Sequence, residues 1–256
     1  MTAITSCQKN TAEPDLVINS YPIAAGNEWV YDRQVVIDKQ DSLANHKKTD
    51  PDTLHFIITV WIEKDTVLND TMPVTIFKQR VDDDNRVSIE YNFLDNEGLK
   101  NYAYANAGGN FFPKQYGISY FMISHLPIEN MALKDDEIFY ETPPTLKIKF
   151  PLKNKLEWNM REPSPDSPGS FRIDKEVIGM EMLGLGGRKF ECLKVQWDIT
   201  YPPLTHQTDI TDWIAKEGLV KRLTITDTAA VTNELGEILY YARLTETLTL
   251  KDVNIK

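Results

Sequence analysis

Along most of the chain, apolar side chains return at every second residue, the spacing of strands that bury one face. Phe56, Ile58, Val60 and Ile62 alternate with His55, Ile57, Thr59 and Trp61. Both faces of that stretch carry apolar groups, so it is expected near the centre of a sheet. Val87, Ile89, Tyr91 and Phe93 alternate with Ser88, Glu90 and Asn92, which predicts a strand with one face in water. The longest run lies near the end, where Ile238, Tyr240, Ala242, Leu244, Leu248 and Leu250 share one parity, broken at Glu246 and flanked by Arg243, Thr245, Thr247 and Thr249. At about 3.4 Å per residue it would span roughly 44 Å, and strands that long coil around a core. Turn chemistry separates the runs at Asp82-Asp83-Asp84-Asn85, Asp95-Asn96-Glu97-Gly98, Gly184-Leu185-Gly186-Gly187 and Asn233-Glu234-Leu235-Gly236. Helical spacing is scarce. The expectation is an all-β protein, a long-stranded antiparallel meander forming a strongly curved sheet or open barrel.

Two segments echo each other. Tyr21-Pro22-Ile23 leads to Glu28-Trp29, and Phe150-Pro151-Leu152 leads to Glu157-Trp158 at the same spacing. Proline fixes the entering chain, and the tryptophan can then plug one end of a core. The pattern predicts an internal duplication with repeats starting near residues 21 and 150. Residues 20–256 are expected to form one β-rich domain, preceded by a tether over residues 1–19.

The start of the chain adds a second signal, because Ile4-Thr5-Ser6-Cys7 resembles a bacterial lipobox, in which the cysteine becomes lipid-modified and amino-terminal. From Gln8 to Asn19 the sequence is mostly polar and includes Glu13-Pro14-Asp15, as a flexible tether requires. Six residues before Cys7 are too few for a signal peptide, so further sequence upstream is expected. Beyond Asn19 three segments carry a wider likeness: Tyr21-Pro22-Ile23 with Gly26-Asn27-Glu28-Trp29; Arg188-Lys189-Phe190-Glu191-Cys192-Leu193-Lys194-Val195; and Trp213-Ile214-Ala215-Lys216-Glu217-Gly218-Leu219-Val220-Lys221-Arg222. Together they resemble uncharacterised lipoproteins of Bacteroidetes, with a more distant similarity to open-barrel lipoprotein-localisation factors. That resemblance implies a lipid-anchored protein of the bacterial cell envelope, at the outer membrane, and transfers no catalytic residue.

Charge narrows the partners. Thirty-eight acidic residues against 28 basic ones give a net charge of −10, which repels nucleic-acid phosphates, so no nucleic-acid partner is expected. No apolar run reaches the roughly 18 residues of a spanning helix, so membrane association is expected through Cys7. The two cysteines, Cys7 and Cys192, make no disulfide framework, and Cys192 reads as an inert buried thiol within a strand.

Few residues in the sequence form a pattern that carries chemistry. His206, Asp209 and Asp212 are ligand types, but the segment reads more simply as a loop entering a strand, so no metal and no cofactor are expected. Gly184–Lys189 lacks the spacing of a phosphate loop, and no arrangement pairs a nucleophile with a base. Glu28 and Glu157 would make a glycosidase pair only within roughly 5–10 Å of each other, and each precedes a core tryptophan and should face solvent. Aromatic residues gather between Gly108 and Tyr140, where Phe111, Phe112, Tyr116, Tyr120 and Phe121 are candidate walls for a lipid, glycan or peptide. The function expected is a non-catalytic envelope lipoprotein that binds such a ligand. A structural component of an envelope assembly, or a glycoside hydrolase, is the alternative.

Overall fold

A computed structural model describes residues 16–42, 45–46, 50–82, 87–105, 138–163, 172–200, 208–232 and 238–256. The strands, in chain order, are β1 (Val17–Ile18), β2 (Glu28–Ser42), β3 (Asn45–His46), β4 (Asp52–Leu68), β5 (Met72–Val81), β6 (Val87–Leu94), β7 (Gly98–Ala105) and β8 (Ile138–Lys149). There follow β9 (Leu152–Lys153), β10 (Glu157–Arg161), β11 (Arg172–Leu185), β12 (Arg188–Thr200), β13 (Thr208–Ala215), β14 (Gly218–Thr232) and β15 (Ile238–Asn254). Among the described residues there is no helix.

One antiparallel sheet runs β10-β11-β12-β13-β14-β15-β2-β4-β5-β6-β7-β8, with β3 added to β2, while β1 and β9 pair separately. The sheet closes into a nearly complete barrel with one unsealed seam, between β8 and β10. As the alternation on both faces predicts, β4 lies inside the sheet, and β15 is longer than its sequence run, reaching 17 residues. Its alternate residues Ala242, Leu244 and Leu250 are buried against β2 and its neighbours.

The strand order is two six-stranded meanders joined at β15 and β2, and their details correspond. In the first, the Gly26 amide donates to Ile62 O, Asn27 N to Ala24 O, and Ile62 N to Asn27 O. In the second, Lys155 N donates to Val177 O, Leu156 N to Lys153 O, and Val177 N to Leu156 O. One shift in numbering takes Gly26 to Lys155 and Trp29 to Trp158, and both Gly26 and Lys155 have positive φ, 84° and 62°. The bulges match as well. Register slips after Ile62 where β4 meets β5 and after Val177 where β11 meets β12, then again after Tyr91 in β6 and after Trp213 in β13.

Two halves built alike still close differently. β15 and β2 pair through their backbones from Tyr241↔Gln40 to Asn254↔Glu28. At the seam, β10 has only five residues, and β8 carries Pro143 and Pro144, which have no amide hydrogen to offer a neighbouring strand. Side chains serve instead: Trp158 Nε1 donates to Leu146 O at 3.2 Å, and Lys175 Nζ to Lys147 O at 3.0 Å.

Two turns show why particular residues are needed. Gly186 and Gly187 both have positive φ, 57° and 78°, the pair of conformations that a two-residue hairpin between twisted strands demands. Asn69 and Asp70, at 50° and 56°, make the corresponding turn between β4 and β5. Between β13 and β14, Gly218 lies so close to Tyr21 that a Cβ there would sit 2.9 Å from the phenol oxygen. The same turn receives Trp29 Nε1 on Glu217 O at 2.6 Å, so β2 and the β13–β14 hairpin lock together.

The strand β6 corrects an expectation. Ser88 and Asn92 are buried, whereas Val87, Ile89, Tyr91 and Phe93 are only half-buried, so the polar face points inward. Polar partners waiting inside the barrel explain the inversion.

Candidate functional site

Cys7, Phe111, Phe112, Tyr116, Tyr120, Phe121 and His206 all lie outside the described residues. The aromatic stretch is represented by its last two members, Phe139 and Tyr140, at the start of β8. Being consecutive in a strand they point to opposite faces. Phe139 stacks on Tyr104 at 5.7 Å between ring centroids, and Tyr104 packs on the inner core. Tyr140 meets Tyr102 edge to face, also at 5.7 Å, and donates to Asn69 Oδ1 at 3.1 Å. It remains 44% exposed. Tyr91 of β6 stands near, and burial followed by the neighbouring Tyr140 raises its pKa above the ordinary phenol value. The strands β6 to β8 thus present tyrosines outward at the end where β7 leads into residues 106–137.

Inside the barrel a chain of buried polar groups crosses from one half to the other. Arg222 of β14 holds Asp212 of β13 through two hydrogen bonds, Nε to Oδ1 at 2.6 Å and Nη2 to Oδ2 at 2.8 Å. Trp197 Nε1 adds a third donor to Oδ2 at 3.0 Å. Lys175 Nζ lies 3.7 Å from the centre of the Trp197 ring, a cation on an aromatic face. Its ammonium reaches Lys147 O, and the Lys147 ammonium pairs with Glu90 at 2.5 Å. Glu90 also accepts from Asn92, which accepts in turn from Asn101. Farther along, Arg33 and Glu246 form a second bidentate pair, both bonds 3.0 Å, with the arginine fully buried.

Burial and pairing set the charge states. Lys175 is pushed well below the usual lysine range by burial, which outweighs the attraction of Asp212. Lys147 is lowered for the same reason, with Glu90 opposing. For Arg222 burial works against the charge, but Asp212 prevails and the net shift is upward. The amine of Lys175 lies under Trp197 with 5% of the residue exposed, so a nucleophilic role would lack a path for substrate.

The other sequence candidates fall apart physically. Asp209 and Asp212 lie three apart on β13, hence on opposite faces, and Asp212 is committed to Arg222 and Trp197. Among the described residues no group of three His, Cys, Asp or Glu side chains is placed to hold a metal ion. Glu28 and Glu157 are both exposed, on strands six places apart around the barrel, so their carboxylates diverge. Cys192 is buried, and burial pushes its thiol up to about 12, leaving it protonated near neutral pH. An open groove of about 460 Å³ lies between Arg188, Lys216, Glu217 and the end of β15.

No protein-family model matches the sequence, and no curated protein matches it. Among solved structures the chain is similar to a "putative lipoprotein" from Parabacteroides distasonis ATCC 8503, at 12% identity and a TM-score of 0.36, over 93% of this chain and 99% of that one. It is also similar to a "putative exported protein with YmcC-like fold" from Bacteroides fragilis NCTC 9343, at 11% identity, the same TM-score and the same coverage.

Proposed function

We propose that this protein is a non-catalytic lipoprotein of the bacterial cell envelope, anchored in the outer membrane through Cys7, which engages a hydrophobic, glycan or peptide ligand at the aromatic end of β6 to β8. The observation that carries the reading is the outward tyrosine face of Tyr91, Tyr102 and Tyr140, partly exposed rings fixed on the strands that flank in sequence the connection holding Phe111, Phe112, Tyr116, Tyr120 and Phe121. Rigid aromatic faces next to water suit stacking on sugars or peptide groups at little entropic cost. The tether ends at Asp15, since Val17 and Ile18 already pair with β9 and Ile18 is buried, and the body is an internal duplication of a six-stranded unit, supported by the matching turns and bulges. An assembly role is the second reading, favoured by the interior chain of ion pairs that fills space a ligand would need.

Mass spectrometry of the natively purified protein tests the ligand. A lipid, glycan or peptide is expected to co-purify, and to be lost after Tyr140→Ala or Phe112→Ala with the fold retained. If nothing co-purifies and neither substitution changes any partner, the assembly role takes its place.

A further inference from the structure

Four of the seven large apolar side chains that stand exposed among the described residues, Val17, Ile178, Met180 and Met182, collect where the amino-terminal segment reaches the barrel. Leu16 sits on this corner, its amide 3.4 Å from Met180 Sδ. β11 pairs with β10 only up to Glu176, and the backbone of Val177 is taken by Lys155 and Leu156. From Ile178 onward, β11 is an edge strand, paired with β12 on one side and with no strand on its other side among the described residues, and beyond Met180 the two continue as a two-stranded hairpin. Met180 and Met182, two apart, share one face of it and are 41% and 58% exposed.

We infer that this corner is the membrane-docking surface of the body, resting on the phospholipid headgroup region; the inference builds on the anchoring at Cys7 proposed above. Eight residues separate Cys7 from Leu16, so a lipid at Cys7 keeps Leu16, and with it Met180, within about 30 Å of the bilayer even when the chain is fully extended. No other part of the described surface is held so near. The tether itself makes a poor cover for the patch, since from Gln8 to Asp15 its only apolar side chains are the small ones of Ala12 and Pro14. Exposed Lys153, which pairs with Val17, and Lys155 flank the corner and suit lipid phosphates. A handful of apolar groups would bind membrane weakly alone, but a tether raises the local concentration of the surface enough for weak docking to orient the body.

The test couples the full chain through Cys7 to a maleimide lipid in phosphatidylcholine vesicles; Cys192 is buried and stays uncoupled. Hydrogen peroxide then oxidises accessible methionines, read by peptide mass spectrometry. Met180 and Met182 are expected to oxidise several-fold more slowly on vesicles than in chain coupled to a soluble maleimide polymer, while Met72 is unchanged. Val17→Ser with Ile178→Ser should reduce that protection. Equal rates on vesicles and polymer overturn the inference. So does protection already present in the polymer-coupled chain, which dilution would trace to a second copy and removal of residues 1–15 to the tether. Whether cells place lipid on Cys7 is a separate measurement. A negative answer there withdraws the anchor, whereas equal oxidation rates with a lipid in place withdraw only the docking.

Discussion

Charged side chains that stand in an apolar parity are the residues on which this interior depends. Asp212 follows Ile210, Lys175 lies between Ile173 and Val177, Arg33 between Tyr31 and Val35, and Glu246 between Leu244 and Leu248. Each is buried with a partner on another strand, and removing one partner strands the other's charge in a poor solvent. Asp212→Ala should cost about 3–5 kcal/mol in urea unfolding, whereas Asp212→Leu with Arg222→Met should recover most of the loss. A double variant as unstable as the single one would contradict this. Proton binding gives a second expectation. Lys175 and Lys147 are depressed in the fold, so the unfolded chain binds more protons below its own lysine value of about 10.4, and stability rises with pH across that window. Above about pH 10 the sign reverses, because unfolded tyrosines ionise there while burial holds Tyr21 near 12 and Tyr31 well above its ordinary value. The urea midpoint should therefore climb as the pH approaches 10 from below and fall beyond it, and Lys175→Met should flatten the climb. An identical profile in the variant would show that Lys175 does not titrate as described. The sequence carried the signal for these residues, a lone charge within a buried parity, but not their partners, because Glu90 and Lys147 meet only when β6 and β8 come to flank β7.

At the scale of the elements, the turn before each core tryptophan was legible, and its geometry was not. The spacing from Pro22 to Trp29 and from Pro151 to Trp158 marked both turns, yet nothing in the sequence showed that Lys155 would take the left-handed conformation that Gly26 takes in the first half. A side chain in that region costs about 1–2 kcal/mol, so Lys155→Gly should stabilise the protein by up to about 1 kcal/mol. Gly26→Ala should destabilise it, because φ is +84°, a conformation that costs a side chain; the Lys256 ammonium that its Cβ would meet can swing aside. Calorimetric midpoints for the two variants check the opposite signs. The shared bulges were hidden for a different reason: Ile62-Glu63-Lys64 and Val177-Ile178-Gly179 have no residue in common, and only backbone register makes them equivalent. The same limit inverted β6, where alternation told which residues share a face but not which face is inside.

For the whole molecule, the seam is where twelve strands stop short of a sealed barrel. Amides of β8 and β10 should exchange with deuterium faster than those of β15 and β2, because side chains hold the first junction and a continuous backbone ladder holds the second. Equal protection would mean that the seam pairs through its backbone in solution. The all-β meander was readable from period-two spacing, but the place of closure was not, since it follows from the shortness of β10 and the paired prolines of β8 acting together. Anchoring at Cys7 is the claim on which envelope location, tether and membrane docking all rest. Mass spectrometry of the amino-terminal peptide of the protein taken from the membrane fraction of its own organism tests it most directly. The expected result is a mature chain that begins at Cys7 and carries acyl groups; an unmodified Cys7 within a peptide that retains the residues before it, recovered from the soluble fraction, would overturn the anchor.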